Sequence, residues 1–364
     1  MSGLAPMTAS IHDVNAPRIL IVRLSAIGDV IHGLPVLTSL RAAWPRAFIA
    51  WVVEGRSADL IEGHSALNAV VQVKRGWLKR PSSVLDLRAR LRALNFDISI
   101  DLQGLSKSAI AARLSGAGQR IGFAGADGRE ISRWLNNTRV HPTATHVIDR
   151  NLELLRPLGI YPGRMSTRDP AALFNLPESA ESATAATNIL YAGQLLPGFA
   201  MINPGAGWAS KLWPPDRFAA VAEHLGRWHG LSSLVVWAGE KERDWAVRIV
   251  ERAGGHARLA PQTTLCQLAA LARRANLFVS ADTGPLHLAV AVGTPSVGLF
   301  GPMPAERNGP YGTRHAAVQK VCLTGSSRSR RAADDASMRA IAVSDVTAAC
   351  DTLLARSISG RGCA

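Results

Sequence analysis

The chain has 364 residues, enough for two α/β domains rather than one. Its 47% apolar and 19% charged composition is that of a globular chain with ample core; Gly 32 and Pro 20 imply many tight loops but exclude a collagen-like or disordered class. The net charge of +14 fits an anionic small substrate, an anionic membrane surface or nucleic acid.

In chain order, residues 1–17 read as a short lead with no basic and apolar signal pattern. Arg18–Val22 is an apolar run suited to a buried parallel strand. A small-residue loop, Arg23–Asp29, leads to a helix over about 30–43 that ends at Trp44-Pro45. Strands are predicted at 48–53, 69–73, 96–100 and 120–123, and helices at 58–61, 83–94, 107–114 and 144–158. Residues 161–198, rich in Pro, Ser, Thr and Ala without a clear period, hold the domain boundary. A second series follows: strands at 199–203, 233–237, 257–259, 277–279 and 296–300, with helices at 215–227, 242–253, 265–273, after Gly284 and at 344–355. Alternating strands and helices predict a mainly parallel sheet in each half, with ligands at the carboxyl ends of the strands. The polar loops Ser25–Asp29, Asp101–Gly104, Asn203–Lys211 and Asp282–His287 fall at those ends and point to a shared cleft.

The most informative segment is Val279-Ser-Ala-Asp282-Thr283-Gly284-Pro285-Leu-His287. A strand runs into a helix mouth, where unpaired N–H groups and the helix dipole suit a diphosphate. The competing reading is a capped βαβ crossover. Gly205, Gly207 and Lys211 in the Asn203–Pro214 loop could hold a phosphate, or could form a turn with a solvent lysine; the P-loop pattern is absent. Asp29 could take a proton from an attacking hydroxyl or simply cap its helix. Glu242 could bond ribose hydroxyls or complement a helix dipole. Asp101 and Gln103 could bond sugar hydroxyls, or serve a helix start. Lys79 and Arg80, beside Trp77, could grip an anionic acceptor or lie in solvent; Arg328, Arg330 and Arg331 read as an exposed loop. Cys266, Cys322, Cys350 and Cys363 make neither a CxxC metal pattern nor a disulfide framework, so reduced thiols and no structural zinc are expected. No apolar run reaches the roughly 18 residues of a membrane helix. Spread arginines without an RNA motif or zinc finger place nucleic acid low among partners.

Together and in this order, Ile19–Val22, Ser25-Ala-Ile-Gly28-Asp29-Val-Ile-His32-Gly-Leu-Pro35, Asp101-Leu-Gln-Gly-Leu-Ser-Lys107-Ser, Lys211-Leu-Trp-Pro214, Ser280–His287, Gly301-Pro302 and Gly309-Pro-Tyr-Gly312 resemble glycosyltransferase family 9, the ADP-heptose:lipopolysaccharide heptosyltransferases, nearest the heptosyltransferase I branch. The resemblance spans nearly everything after Arg18, except 322–342. It implies a GT-B fold with two Rossmann-like α/β domains: an acceptor-binding domain at 17–180, a nucleotide-sugar-binding domain at 181–343, and a helix at 344–356 packing back on the first. It implies inverting transfer of a heptose from an ADP-sugar to an anionic Kdo-lipid A-like glycolipid, with no metal or other cofactor. The enzyme would be cytoplasmic, peripheral at the inner face of the membrane, with no nucleic-acid partner. Asp29 would be the general base. Lys211, Thr283, Gly284 and His287 would hold the diphosphate, Asp282 the donor sugar and Glu242 the ribose; Gln103, Lys79 and Arg80 would meet the acceptor. The alternatives are another donor or acceptor within the family, or a nucleotide-binding protein without transfer activity.

Overall fold

The computed structural model describes residues 16–129, 131–163 and 169–359. The chain divides into two compact units, Met1–Gly163 and Arg164–Ala364.

The first unit runs β1 (Arg18–Val22), α1 (Ile27–Ile31), α2 (Leu34–Ala43), β2 (Phe48–Glu54), β3 (Ala69–Val73), α3 (Pro81–Ala93), β4 (Ile98–Asp101), α4 (Ser106–Ser115), β5 (Gln119–Phe123), α5 (Ser132–Leu135), β6 (Thr138–Val140) and α6 (Val147–Glu153). Its six strands pair in parallel in the order β3-β2-β1-β4-β5-β6. Ile19 to Val22 are fully buried, as a strand covered on both faces requires. The chain goes from β1 to one side of the sheet and returns to β4 on the other. The β1/β4 boundary is therefore the switch point, where a crevice opens at the carboxyl ends.

The predicted helix over 30–43 is two helices, broken at His32-Gly33. A Cβ on Gly33 would lie 2.8 Å from the Trp51 ring, so the break seats bare backbone on that indole. The predicted helix over 144–158 is only α6, followed by a single 3-10 turn at Arg156–Leu158 that contains Pro157.

The second unit runs α7 (Pro170–Phe174), α8 (Ala180–Ala192), β7 (Phe199–Asn203), α9 (Pro215–His229), β8 (Ser232–Val235), α10 (Glu240–Arg252), β9 (Ala257–Leu259), α11 (Leu265–Arg274), β10 (Leu277–Ala281), α12 (Gly284–Ala291), β11 (Ser296–Phe300), α13 (Ala305–Asn308), β12 (Ala316–Gln319), α14 (Ser327–Ala332), α15 (Ala336–Arg339) and α16 (Val343–Ser359). The parallel order is β12-β11-β10-β7-β8-β9, the same winding as the first sheet, with its switch point between β7 and β10.

The division at Gly163/Arg164 falls earlier than the expected 180/181, because α7 packs on α12 and α8 on α11. The last helix, α16, buries Val346, Cys350, Leu353 and Leu354 in the second unit's core and packs on α9, β11 and β12. Cys266, Cys322 and Cys350 are free thiols, and burial pushes the Cys350 thiol up; Cys363 lies outside the described residues. No described helix is long and apolar enough to cross a membrane.

Trp213 ties the loop after β7 to the segment before α16. It is 1% exposed, stands edge-on to Phe218 at 4.8 Å, and donates from Nε1 to the Ile341 carbonyl at 3.1 Å. Trp213→Ala is expected to destabilise the second unit by roughly 3–5 kcal/mol, the usual cost of emptying a buried aromatic site. Chemical denaturation checks this; a loss below about 1 kcal/mol would contradict the packing.

Candidate functional site

In the first unit, the loops leaving β1 and β4 are laced together across the switch point. The Leu24 N–H donates to Gln103 Oε1 at 3.0 Å, and Arg23 Nη1 donates to the Leu102 carbonyl. Lys107 Nζ reaches Glu54 Oε2 at 2.9 Å and Ser25 Oγ at 3.2 Å, pinning the same loop from α4. On this frame α1 begins. Asp29, in its first turn, accepts the Ala26 N–H at 3.1 Å and pairs with Arg23 Nη2 at 2.5 Å. The helix-start role and a directed carboxylate therefore coexist. Arg23 is buried and cannot follow solvent, whereas the Asp29 side chain is 43% exposed and open to a substrate.

The other first-unit candidates separate. Asp101 is buried and takes the N–H groups of Gln103 and Gly104 at 3.0 Å each, and Asn136 Nδ2 at 3.2 Å. Burial pushes its carboxyl up against those hydrogen bonds and one from Ser108. It is a clamp on the β4–α4 turn, not a sugar ligand. Gln103 spends its carbonyl on Leu24, which leaves Nε2 as its group for an acceptor. Lys79 and Arg80 are exposed where the chain enters α3, while Trp77 beside them is buried. They follow β3, two strands from β1, roughly 10 Å away by strand spacing.

In the second unit the candidates converge. Asn203 ends β7 and donates from Nδ2 to Ser280 Oγ at 3.0 Å and Thr283 Oγ1 at 3.3 Å, bridging the β7 and β10 ends. Thr283 is the N-cap of α12, yet its hydroxyl makes no capping bond to that helix. The first-turn N–H groups of Gly284 and Leu286 are thus left for another acceptor, since Pro285 has none and the His287 N–H lies 3.4 Å from the Thr283 carbonyl. Lys211 comes from the loop after β7. Its ammonium lies 2.5 Å from Asp282 Oδ2, 3.4 Å from the Asp282 carbonyl and 4.6 Å from the centre of the Trp208 ring. His287 Nε2 stands 3.5 Å from Asp282 Oδ1. Burial would raise the Asp282 carboxyl, but the His287 hydrogen bond and the Lys211 charge together hold it below the ordinary value. Asp282 is therefore in direct contact with Lys211 and His287, closer to the expected phosphate group than its predicted separate role suggested.

Glu242, in the first turn of α10, joins the same edge. It accepts the Ala238 N–H at 2.9 Å, and burial pushes its carboxyl up. A Cβ on Gly205 would lie 2.4 Å from Glu242 Cδ, so glycine lets the β7 loop pass under this carboxyl without displacing it.

Sequence reasoning left out Arg23, Asn203 and Trp208 as working residues. A cation directly after a buried strand and an asparagine ending one were the available signals. The segment 322–342, given no role, forms α14 and α15, which pack on the Ala209–Lys211 turn. Arg331, expected in an exposed loop, lies on α14 with its guanidinium 6.0 Å from the Trp208 ring centre.

The family model for glycosyltransferase family 9 (heptosyltransferase) matches residues 84–334. Lipopolysaccharide heptosyltransferase 1 of Pseudomonas aeruginosa is 31% identical over 306 residues, covering 81% of this chain and 81% of that protein. The protein of the same name from Escherichia coli is 29% identical over 318 residues, covering 84% and 93%. Among solved structures, the glycosyl transferase family 9 protein of Veillonella parvula superposes with a TM-score of 0.77 at 23% identity, over 94% of this chain and 98% of that one. Escherichia coli heptosyltransferase WaaC with ADP-2-deoxy-2-fluoro heptose superposes with a TM-score of 0.70 at 25% identity, over 92% and 99%. Two parallel six-stranded sheets of one winding, each with polar groups at its switch point, together with these matches, place the chain in glycosyltransferase family 9: it is a glycosyltransferase of GT-B fold.

Proposed function

We propose that this protein transfers a heptose, with inversion, from ADP-heptose to a lipopolysaccharide inner-core acceptor. The observation that carries the reading is the β7/β10 crevice, where a partly buried lysine and an uncapped helix start meet. A departing nucleoside diphosphate needs positive charge as the glycosidic bond breaks. Lys211 and the α12 N–H groups supply it already oriented, so the transfer does not call on a metal ion. Asp282 holds the Lys211 ammonium in place from the sugar side, and Lys211 between them offsets the repulsion of carboxylate and phosphate. His287 steadies Asp282, and Glu242 accepts the ribose hydroxyls. Asp29, aimed by Arg23, takes the proton of the attacking acceptor hydroxyl. That hydroxyl attacks the anomeric carbon opposite the leaving diphosphate, which inverts the centre. Gln103 Nε2, Lys79 and Arg80 are our acceptor contacts. The net charge of +14 favours encounter with an anionic glycolipid at the inner face of the membrane. The heptosyltransferase names of the relatives support the sugar, and the ADP-2-deoxy-2-fluoro heptose bound to WaaC supports the donor.

A screen of nucleotide sugars with the glycolipid acceptor tests the reading. Transfer is expected from ADP-heptose, and transfer from none of the donors would refute it. Asp29→Ala should lower kcat by roughly 10²–10⁴-fold, the usual yield of a general base, with donor affinity within about twofold; full activity in this variant would remove Asp29 from the mechanism. The Asp282 carboxyl is depressed on folding, so its contribution to stability is complete above about pH 4, its unfolded value, and is lost as pH falls through the folded value. Asp282→Asn is therefore expected to flatten the acid limb of the stability–pH curve, measured by denaturation at stepped pH. An unchanged acid limb would contradict the pairing.

A further inference from the structure

His224 and His229, both on α9, and Asp351 on α16 converge at a place the transfer does not use. His224 Nε2 lies 2.8 Å and His229 Nε2 2.7 Å from the same oxygen, Asp351 Oδ1. A donor atom from each residue lies within 4.8 Å of the others. In a parallel α/β unit each helix runs opposite to its preceding strand. The end of α9 therefore lies at the amino ends of the strands, away from the β7/β10 crevice. The side chains are 24%, 25% and 45% exposed, so the cluster is partly desolvated yet reachable by solute. His229 also lines a cavity of about 670 Å³, together with Asn276, Arg273, Arg314 and Arg356.

We propose that His224, His229 and Asp351 bind one zinc-class divalent cation, which staples the C-terminal helix to α9. Two imidazoles and a carboxylate are an established donor set for such ions, with water or a small anion completing a tetrahedron. Tetrahedral ligands about 2.0 Å from zinc stand roughly 3.3 Å apart, so each imidazole–carboxylate contact needs to lengthen by only about half an ångström for ligation. The ion replaces the protons that now bridge each imidazole to Asp351. The cavity beside His229 leaves the fourth position accessible, and its arginines suit an anion there. Binding to the folded chain adds to its stability by mass action.

The test is titration of the full, metal-stripped chain with Co²⁺, followed by visible absorption, and with Zn²⁺, followed by thermal melting. One equivalent of Co²⁺ should give the ligand-field band of a tetrahedral site, and Zn²⁺ should raise the melting temperature with saturation at one equivalent. Both responses should disappear in His224→Gln, His229→Gln and Asp351→Asn, each still melting cooperatively without metal. No band and no shift in the parent chain would mean that the three residues form a hydrogen-bonded triad only. A band that survives in the His224→Gln/Asp351→Asn double variant would place the metal elsewhere. Either result overturns the proposal.

Discussion

The contact between Lys211 and Asp282 is the constraint on which the site depends. Both side chains are largely buried, at 14% and 7% exposure, so neither charge could be held there alone. Removing one partner of such a pair commonly costs roughly 3–5 kcal/mol, because the other is left desolvated. The pair joins the loop after β7 to the start of α12, across the two strands between which the strand order reverses. Asn203, Ser280 and Thr283 stitch the same boundary with neutral hydrogen bonds. The helix mouth is thereby fixed by the fold alone, and preorganised charge of this kind is what the proposed departure of a diphosphate calls for.

The first unit uses an analogous device with opposite polarity. At its switch point Arg23 is buried and the outward group is the Asp29 carboxylate; in the second unit Asp282 is buried and braces a cation. One winding thus carries an outward carboxylate in one half and a braced ammonium in the other, and the proposed transfer assigns them to the proton acceptor and the leaving group.

Much of this was legible in the residues. Continuous apolar runs such as Ile19–Val22 and Ser296–Phe300 mark strands buried on both faces, and the helix start after Thr283 follows from local chemistry, whereas α1 begins at Ile27, ahead of Asp29. What was not legible depends on distant partners. The stripe of α8 is Ser182, Ala186 and Leu190, too small to stand out as apolar until α11 is seen packed on it. The break at Gly33 is explained by Trp51, and β6 and β12 are short edge strands recognisable only by their neighbours. Among the candidate residues, Asp29, Lys211, Glu242, Thr283 and His287 stand out in the sequence because each lies in the loop or first helical turn that follows a strand. Asp101 reads there as a sugar ligand because its Asn136 partner is 35 residues away. The His224, His229 and Asp351 cluster is invisible in the sequence because α9 and α16 meet only in the fold.

The central claim is that Lys211 and the start of α12 hold the donor's diphosphate. Calorimetric titration of the parent chain and Lys211→Ala with ADP and with adenosine tests it most directly. Losing a hydrogen bond to a charged group costs about 1.5–3 kcal/mol, so ADP affinity should fall by roughly 10–150-fold while adenosine affinity stays within about twofold. An equal loss for both ligands, or unchanged ADP affinity, would contradict the account.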